Sequence, residues 1–263
     1  MIRYFRHLLR YRDLLLTMTA RDIRVRYKQT LLGAAWAVIQ PLAFVVILAG
    51  VKIAVFRETA GKSEGESTAV FLYCAMVPWM FFQSSLTFAS TSISGNMNLV
   101  KKVYFPREIF PASVILACIL DFLIASAVLV GMIVLAKLPF TLALLWLIPL
   151  FGIELLFVLG VGMGIATANV FYRDIKYIVP LALQLLLFGS PVIYPLDRVP
   201  EGLRPLYLFN PMSAVIDGFR RVILHQAPPR FMPFMISFIV ALCCFVLGYI
   251  YLKSMEDRFA DLI

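Results

Sequence analysis

Long apolar blocks of roughly membrane length divide this chain, and the short stretches between them carry most of its lysine and arginine. The hydrocarbon layer of a bilayer is about 30 Å thick, so a spanning helix takes about 20 mostly apolar residues. Six blocks qualify: residues 33–56, 69–94, 108–136, 139–171, 176–194 and 231–252. Hydrophobic residues make up 62% of the 263 positions, and mean hydropathy is +0.89. That is more apolar surface than one soluble core can hide. Backbone amides in lipid must be satisfied internally, which leaves helices or a closed barrel. Barrel strands alternate apolar and polar residues over about 10 positions. These blocks are apolar on all sides, so they predict an all-α integral membrane protein with six transmembrane helices in a single domain over 1–263. The fourth block is the longest and is expected to tilt or break.

Lysine and arginine near the spans set orientation. The segment before Gly33, the 95–108 loop, the 172–176 turn and the C-terminal tail together hold fifteen, against nine on the other side. This asymmetry predicts that both termini face the cytoplasm. The net charge of +9 then reads as a topology and lipid-headgroup signal. Nucleic acid is not an expected partner, because no soluble domain exists to present a groove.

Residues 1–32 read as an amphipathic interface helix. Arg3, Arg6 and Arg10 recur at helical spacing, as do Arg21, Arg24 and Lys28, and Tyr4, Leu8, Tyr11, Leu15 and Met18 form an apolar stripe. Such a helix lies among headgroups, and it can also dock a cytoplasmic partner. The 95–107 loop is short, basic and aromatic, with Lys101, Lys102 and Arg107 followed by Glu108. It is overbuilt for a plain connector and suggests a partner contact. The 196–230 loop carries its own helix signal. Asn210 can cap, Pro211 suits the first helical position, and Met212, Val215, Ile216, Phe219, Val222 and Ile223 mark one apolar face. Asp217 and Arg221 are placed to pair at i, i+4. About 14 residues cannot cross a bilayer, so this helix is expected to dip into the outer side. An ordinary amphipathic surface helix is the plainer alternative.

Two stretches imitate nucleotide motifs. Gly61-Lys62-Ser63 lacks the glycine that a phosphate loop needs five positions earlier, where Phe56 stands. Gly160-Val-Gly162-Met-Gly164 falls inside a span, where small residues let helices approach closely. The four cysteines lie in apolar blocks without metal-ligand spacing. Asp121 and Glu154 sit inside spans, each without a visible partner in sequence. They read as polar contacts or path-lining groups.

The order and spacing of several short motifs carry a resemblance. They are Arg21-Asp22-Ile-Arg24-Val-Arg26-Tyr27, then Leu32-Gly33-Ala-Ala-Trp36 and Gln40-Pro41, and Val100-Lys101-Lys102-Val-Tyr-Phe-Pro106-Arg107-Glu108. Asn169-Val-Phe-Tyr172-Arg173-Asp174-Ile-Lys176, Ser190-Pro191-Val-Ile-Tyr194-Pro195 and Asn210-Pro211-Met212 follow. With six spans, this chain resembles the membrane permease subunit of bacterial ABC-type polysaccharide exporters, the group that exports O-antigen and teichoic acid polymers.

The resemblance implies a homodimer in the bacterial inner membrane, two separate cytoplasmic ATPase subunits, and a lipid-linked polysaccharide as cargo. ATP and Mg would sit on the ATPase, with no cofactor bound by this chain. The interface helix and the 96–108 loop would receive the ATPase stroke, through Arg21, Arg24, Lys28, Lys101, Lys102, Arg107 and Glu108. Outer re-entrant helices would close the exit, with Asn210, Pro211, Asp217 and Arg221 as gate residues. Spans one and five would face a canal. There Trp36, Phe44, Phe188 and Tyr194 offer flat π surfaces to the C–H faces of sugar rings. Two alternatives stay open at this point: a related permease for a small amphiphile or drug, and a membrane-embedded transferase acting on lipid-linked sugars. The second would need clustered acids or histidines.

Overall fold

The computed structural model describes residues 11–28, 32–55, 68–102, 106–256 and 258, and every regular element among them is helical. In chain order these are α1 (Arg12–Tyr27), α2 (Trp36–Val55), α3 (Thr68–Ser92), α4 (Met97–Lys102), α5 (Ile109–Leu135), α6 (Leu147–Phe171), α7 (Ile175–Phe188), α8 (Arg204–Leu208), α9 (Pro211–Ile223) and α10 (Phe231–Met255). Among the described residues, four helical stretches are long and apolar enough to cross a membrane: α3, α5, Leu142–Phe171 and α10. Trp36–Leu48 within α2, and α7, are shorter apolar stretches.

The bundle is built around α3. About three quarters of its apolar window is buried, 72% against 22% in each of the other three long helices. It therefore supplies the core, while the others keep an apolar face outward, as lipid-exposed helices do. Aromatic contacts fix its neighbours. Phe81 of α3 meets Phe122 of α5 at 5.6 Å and Phe151 of α6 at 5.2 Å, and Phe82 stacks on Phe157 at 5.8 Å. Offset and edge-on ring pairs at these spacings add to the burial itself.

Glycines let α6 approach its neighbours. Gly160 lies against the backbone of Cys244 and Phe245 in α10, and a Cβ on Gly248 would collide with the Gly160 carbonyl. A Cβ on Gly162 would sit 3.1 Å from Ile115 and 3.3 Å from Ala89, but one on Gly164 would meet nothing. So two of the three glycines in this run sit at close helix contacts.

Two blocks differ from their sequence reading. The fourth begins with a 3-10 turn, Leu142–Trp146, before α6 starts. The fifth stops early: α7 has 14 residues and ends at Phe188, not near residue 194. Fourteen residues rise about 21 Å, short of the ~30 Å layer. The cause is Pro191, which lacks an N–H and pushes the residue before it out of the helical region. The apolar Val192 and Ile193 beyond the proline extend the block past the break.

Helix α1 packs across one end of the bundle, the α1 end. Met18 joins Ile93, Ile109, Phe110, Met163, Phe245 and Leu252 in a small second core, with Tyr11, Leu14 and Leu15 against it. The rest of the expected stripe, Tyr4 and Leu8, lies outside the described residues, as do Arg3, Arg6 and Arg10 and the 56–67 segment. At the opposite end, the far end, α9 packs on α3, α6 and α10.

Candidate functional site

Three polar clusters and one groove collect most residues singled out in the sequence. At the α1 end, the motif residues interlock. Arg21 Nη1 donates to Asn96 Oδ1 at 3.0 Å, and its Nη2 meets Asp22 Oδ1 at 2.8 Å. Asp22 Oδ2 in turn accepts from Ser113 Oγ at 3.0 Å. Asn169 Nδ2 donates to Ser94 Oγ at 2.9 Å, while its Oδ1 accepts from the Lys176 backbone N–H at 3.1 Å. Four sequence segments far apart in the chain thus meet by side chain at one end of the bundle.

Asp121 is not alone, which corrects the sequence reading. Arg26 Nη1 lies 2.5 Å from Asp121 Oδ2, and the Tyr27 hydroxyl donates to Oδ1. The Arg26 guanidinium also stacks over Phe88, 4.1 Å from the ring centroid. The partners sit 95 and 94 residues away in sequence, and only the packing of α1 on α5 brings them in. Glu154 is different: it is fully buried in α6, and neither carboxylate oxygen has a hydrogen-bond partner among the described residues.

The candidate contact residues divide. Arg24 on α1 and Lys28 just past its end are exposed, and Arg21 keeps part of its side chain outside. Lys101 and Lys102 lie on α4, with their side chains outside the described residues. Glu108 departs from its expected place on a contact surface. It is fully buried and 3.0 Å from Lys253 Nζ, which also holds Glu256 at 2.9 Å. Arg107 donates to the Glu256 carbonyl. The Glu108–Lys253 pair fastens the 106–108 stretch to the end of α10, because a carboxylate without solvent needs a cation beside it.

A groove of about 350 Å³ runs between α2, α3 and α5 beside the end of α1. Trp36, Phe81, Phe88 and Phe122 give it aromatic walls, and Gln40, Gln83, Ser84 and Thr87 supply amides and hydroxyls. Arg26 and Asp121 stand at one side. Flat apolar faces interleaved with neutral hydrogen-bonding groups suit a ring that is apolar on its faces and hydroxylated at its edges. Trp36 is 51% exposed, so one face is available. The other aromatic candidates are elsewhere. Phe44 is exposed on α2 and Phe188 ends α7. Tyr194 pairs its hydroxyl with Tyr207 at 2.6 Å. The four do not form one cluster in the single chain. The amide and hydroxyl lining escaped the sequence reading, although Gln83, Ser84 and Thr87 at i, i+1, i+4 inside an apolar block were a readable signal.

At the far end, Asn210 caps α9. Its Oδ1 accepts from Met212 N–H at 3.1 Å, and its Nδ2 reaches Ser190 Oγ at 3.0 Å. The six residues expected on one apolar face are all buried. Gly218 packs closely here: a Cβ would come within 2.7 Å of the Leu150 side-chain tip, which would have to shift. The expected Asp217–Arg221 pair does not form. Asp217 instead lies 3.9 Å from Arg230, which also bonds Asp197 at 2.8 Å, and Arg221 Nε turns to the Pro228 carbonyl at 3.3 Å. The chain after α9 folds back over this face and presents a competing cation and acceptor. The two acids flanking Arg230 move oppositely. The Arg230 hydrogen bond holds Asp197 below the usual carboxylate range, whereas burial pushes Asp217 above it. Asn210→Ala is expected to cost about 0.5–2 kcal/mol through the lost cap, with the Ser190 link lost as well. A lowered midpoint for heat inactivation of the purified protein would register it, and an unchanged midpoint would show the cap to be idle.

Comparison with known sequences places this geometry. The sequence pattern described as ABC-2 type transporter matches residues 13–224. The O-antigen export system permease protein RfbA of Klebsiella pneumoniae is 29% identical over 252 residues, covering 95% of each chain. A protein of the same name from Myxococcus xanthus is 28% identical across the full length of both chains. The polysialic acid transport protein KpsM of Escherichia coli is 25% identical over 78% of each. A match from α1 to the end of α9 takes in most of the chain, including both polar ends and the groove: the protein belongs to the ABC-2 type transporter family.

Proposed function

We propose that the chain is the permease subunit of an ATP-driven exporter that moves a lipid-linked polysaccharide, O-antigen or teichoic-acid-like, outward across the bacterial inner membrane. Two copies form the canal, and α2 and α7, the latter continued by the non-helical backbone to residue 194, complete a set of six spans. Two separate ATPase subunits hold ATP and Mg at the cytoplasmic face. The α1 end is that face, with both termini there and the far end outside. The groove that interleaves Trp36 with Gln40, Gln83, Ser84 and Thr87 carries the reading. It offers a sugar the two contacts it needs, and its two charged lining residues, Arg26 and Asp121, are paired with each other. Relatives named for O-antigen export, matched over 95% or more of the chain, and one named for polysialic acid transport, matched over 78%, support the cargo class.

Deleting the gene in its host tests this reading. Lipid-linked glycan should accumulate inside the cell, and surface glycan should return only when this chain is restored together with its ATPase. Normal surface glycan in the deletion strain would overturn it. Altered tolerance to a small amphiphile in that strain would favour the alternative cargo. Within the groove, Trp36→Ala should slow export at unchanged membrane abundance, because a half-exposed indole contributes little packing. Reduced abundance with normal export per molecule would assign Trp36 to stability instead.

A further inference from the structure

Arg220 belongs to no motif singled out in the sequence, yet it is 4% exposed and joins three parts of the far end. From α9, its Nη1 donates to the carbonyls of Pro191 at 2.5 Å and Tyr194 at 3.0 Å, and its Nη2 to that of Val192. Its Nε reaches the Phe71 carbonyl of α3 at 3.3 Å, and the guanidinium stacks 3.7 Å above the Phe71 ring.

The acceptors explain the donor. Because α7 ends at Phe188, the chain continues toward the far end as non-helical backbone. Such backbone is tolerated at membrane depth only where protein satisfies its polar groups. Pro191 and Pro195 bring carbonyls but no N–H, so this stretch is rich in acceptors and short of donors. A guanidinium is a planar fork of donors with no acceptor of its own. Lysine carries a point charge on a flexible stem and cannot hold the same three directions at once.

We propose that Arg220 is a positioning residue of the exporter: it welds α9 to the chain leaving α7, so that the gate helix and the end of span five move as one body. The inference rests on the export reading above, and it changes which seam opens. Separation falls between this joined unit and the 196–208 segment, not between α9 and residues 190–194. That segment is lightly held. Among its described side chains Val199 is the buried hydrophobic one, and the Tyr194–Tyr207 hydroxyl contact and the Asp197–Arg230 pair tie it down.

Spin labels at Ile193→Cys and His225→Cys, in a cysteine-free chain assembled with its ATPase in lipid, report on this joint. The distance distribution should be narrow and the same in the nucleotide-free and ATP-trapped states. Arg220→Lys should broaden it and lower export by roughly tenfold, the scale of one or two lost charge-assisted hydrogen bonds. Arg220→Ala is compared only at matched membrane abundance, and Arg220→Lys serves if the alanine variant does not accumulate. A distance that shifts between the two states with Arg220 intact would overturn the proposal. So would Arg220→Lys with full export and an unchanged distribution. Absence of any polysaccharide export, with the distances behaving as stated, would remove the cargo reading and leave the joint standing.

Discussion

Replacing Gly248 with alanine should destabilise the protein more than any other single methyl insertion in the bundle. The added carbon would collide with the carbonyl of Gly160, and backbone cannot step aside as a side-chain tip can. Overpacking a core costs about 1–3 kcal/mol when side chains absorb it, so a clash between two backbones should reach the top of that range. Gly160→Ala meets the Phe245 and Cys244 backbone and should behave alike. In lipid, α6 and α10 hold together by close packing rather than by water exclusion, which makes the lost approach harder to recover. Gly164→Ala is the control. It faces open space within the same helix and should be neutral, or gain up to about 1 kcal/mol from helix propensity. Monodisperse yield on gel filtration and the midpoint of heat inactivation would rank the variants. If Gly248→Ala and Gly164→Ala proved indistinguishable, the close crossing of α6 and α10 would be wrong.

The second large effect is expected at Arg26 and Asp121. Their side chains are only 17% and 23% exposed, each is the other's counter-charge, and Phe88 covers the Arg26 guanidinium. Removing one member of such a pair strands the other, at a cost of about 3–5 kcal/mol where burial is complete. Asp121→Ala also takes the acceptor from Tyr27. Each single variant should therefore lower membrane abundance strongly. The double variant should recover part of the loss, with a coupling of about 0.5–3 kcal/mol. Strict additivity of the two substitutions would mean that the pair does not hold α1 on α5.

The two ends of the molecule were not equally legible. Helix α9 was readable to within a residue, because its signals are local: a cap with a direct hydrogen bond to Met212, a proline in the first turn, and an apolar face at helical spacing. The close glycines were readable for the same reason, since small residues inside an apolar run have few other uses. The partner of Asp121 was not readable, because it arrives from a different helix through tertiary packing. Arg220 looked like one more basic residue in an outer loop. Its burial depends on α7 stopping at Phe188 and on the carbonyls of residues 191–194, which reach it only through tertiary packing. The Asp217–Arg221 spacing predicted a pair correctly placed on one helix face, but the chain returning through Arg230 outcompeted it. Glu108 was read as surface because its neighbours are basic, and nothing local announced Lys253, near the other end of the chain.

The seam between Gly160 and Gly248 also bears on how the molecule is made. Chains emerge from the ribosome N-terminal end first, so α6 enters the membrane while α10 is still unsynthesised. Until then, the narrow face around Gly160 has no partner, and Glu108 waits for Lys253. The last helix is the closing stave of the barrel-maker's hoop: its arrival completes the glycine crossing and neutralises the buried acid together. Nascent chains cut before Phe231 should consequently be cleared by membrane proteases, whereas a chain ending after Glu256 already holds every described contact that fastens α10.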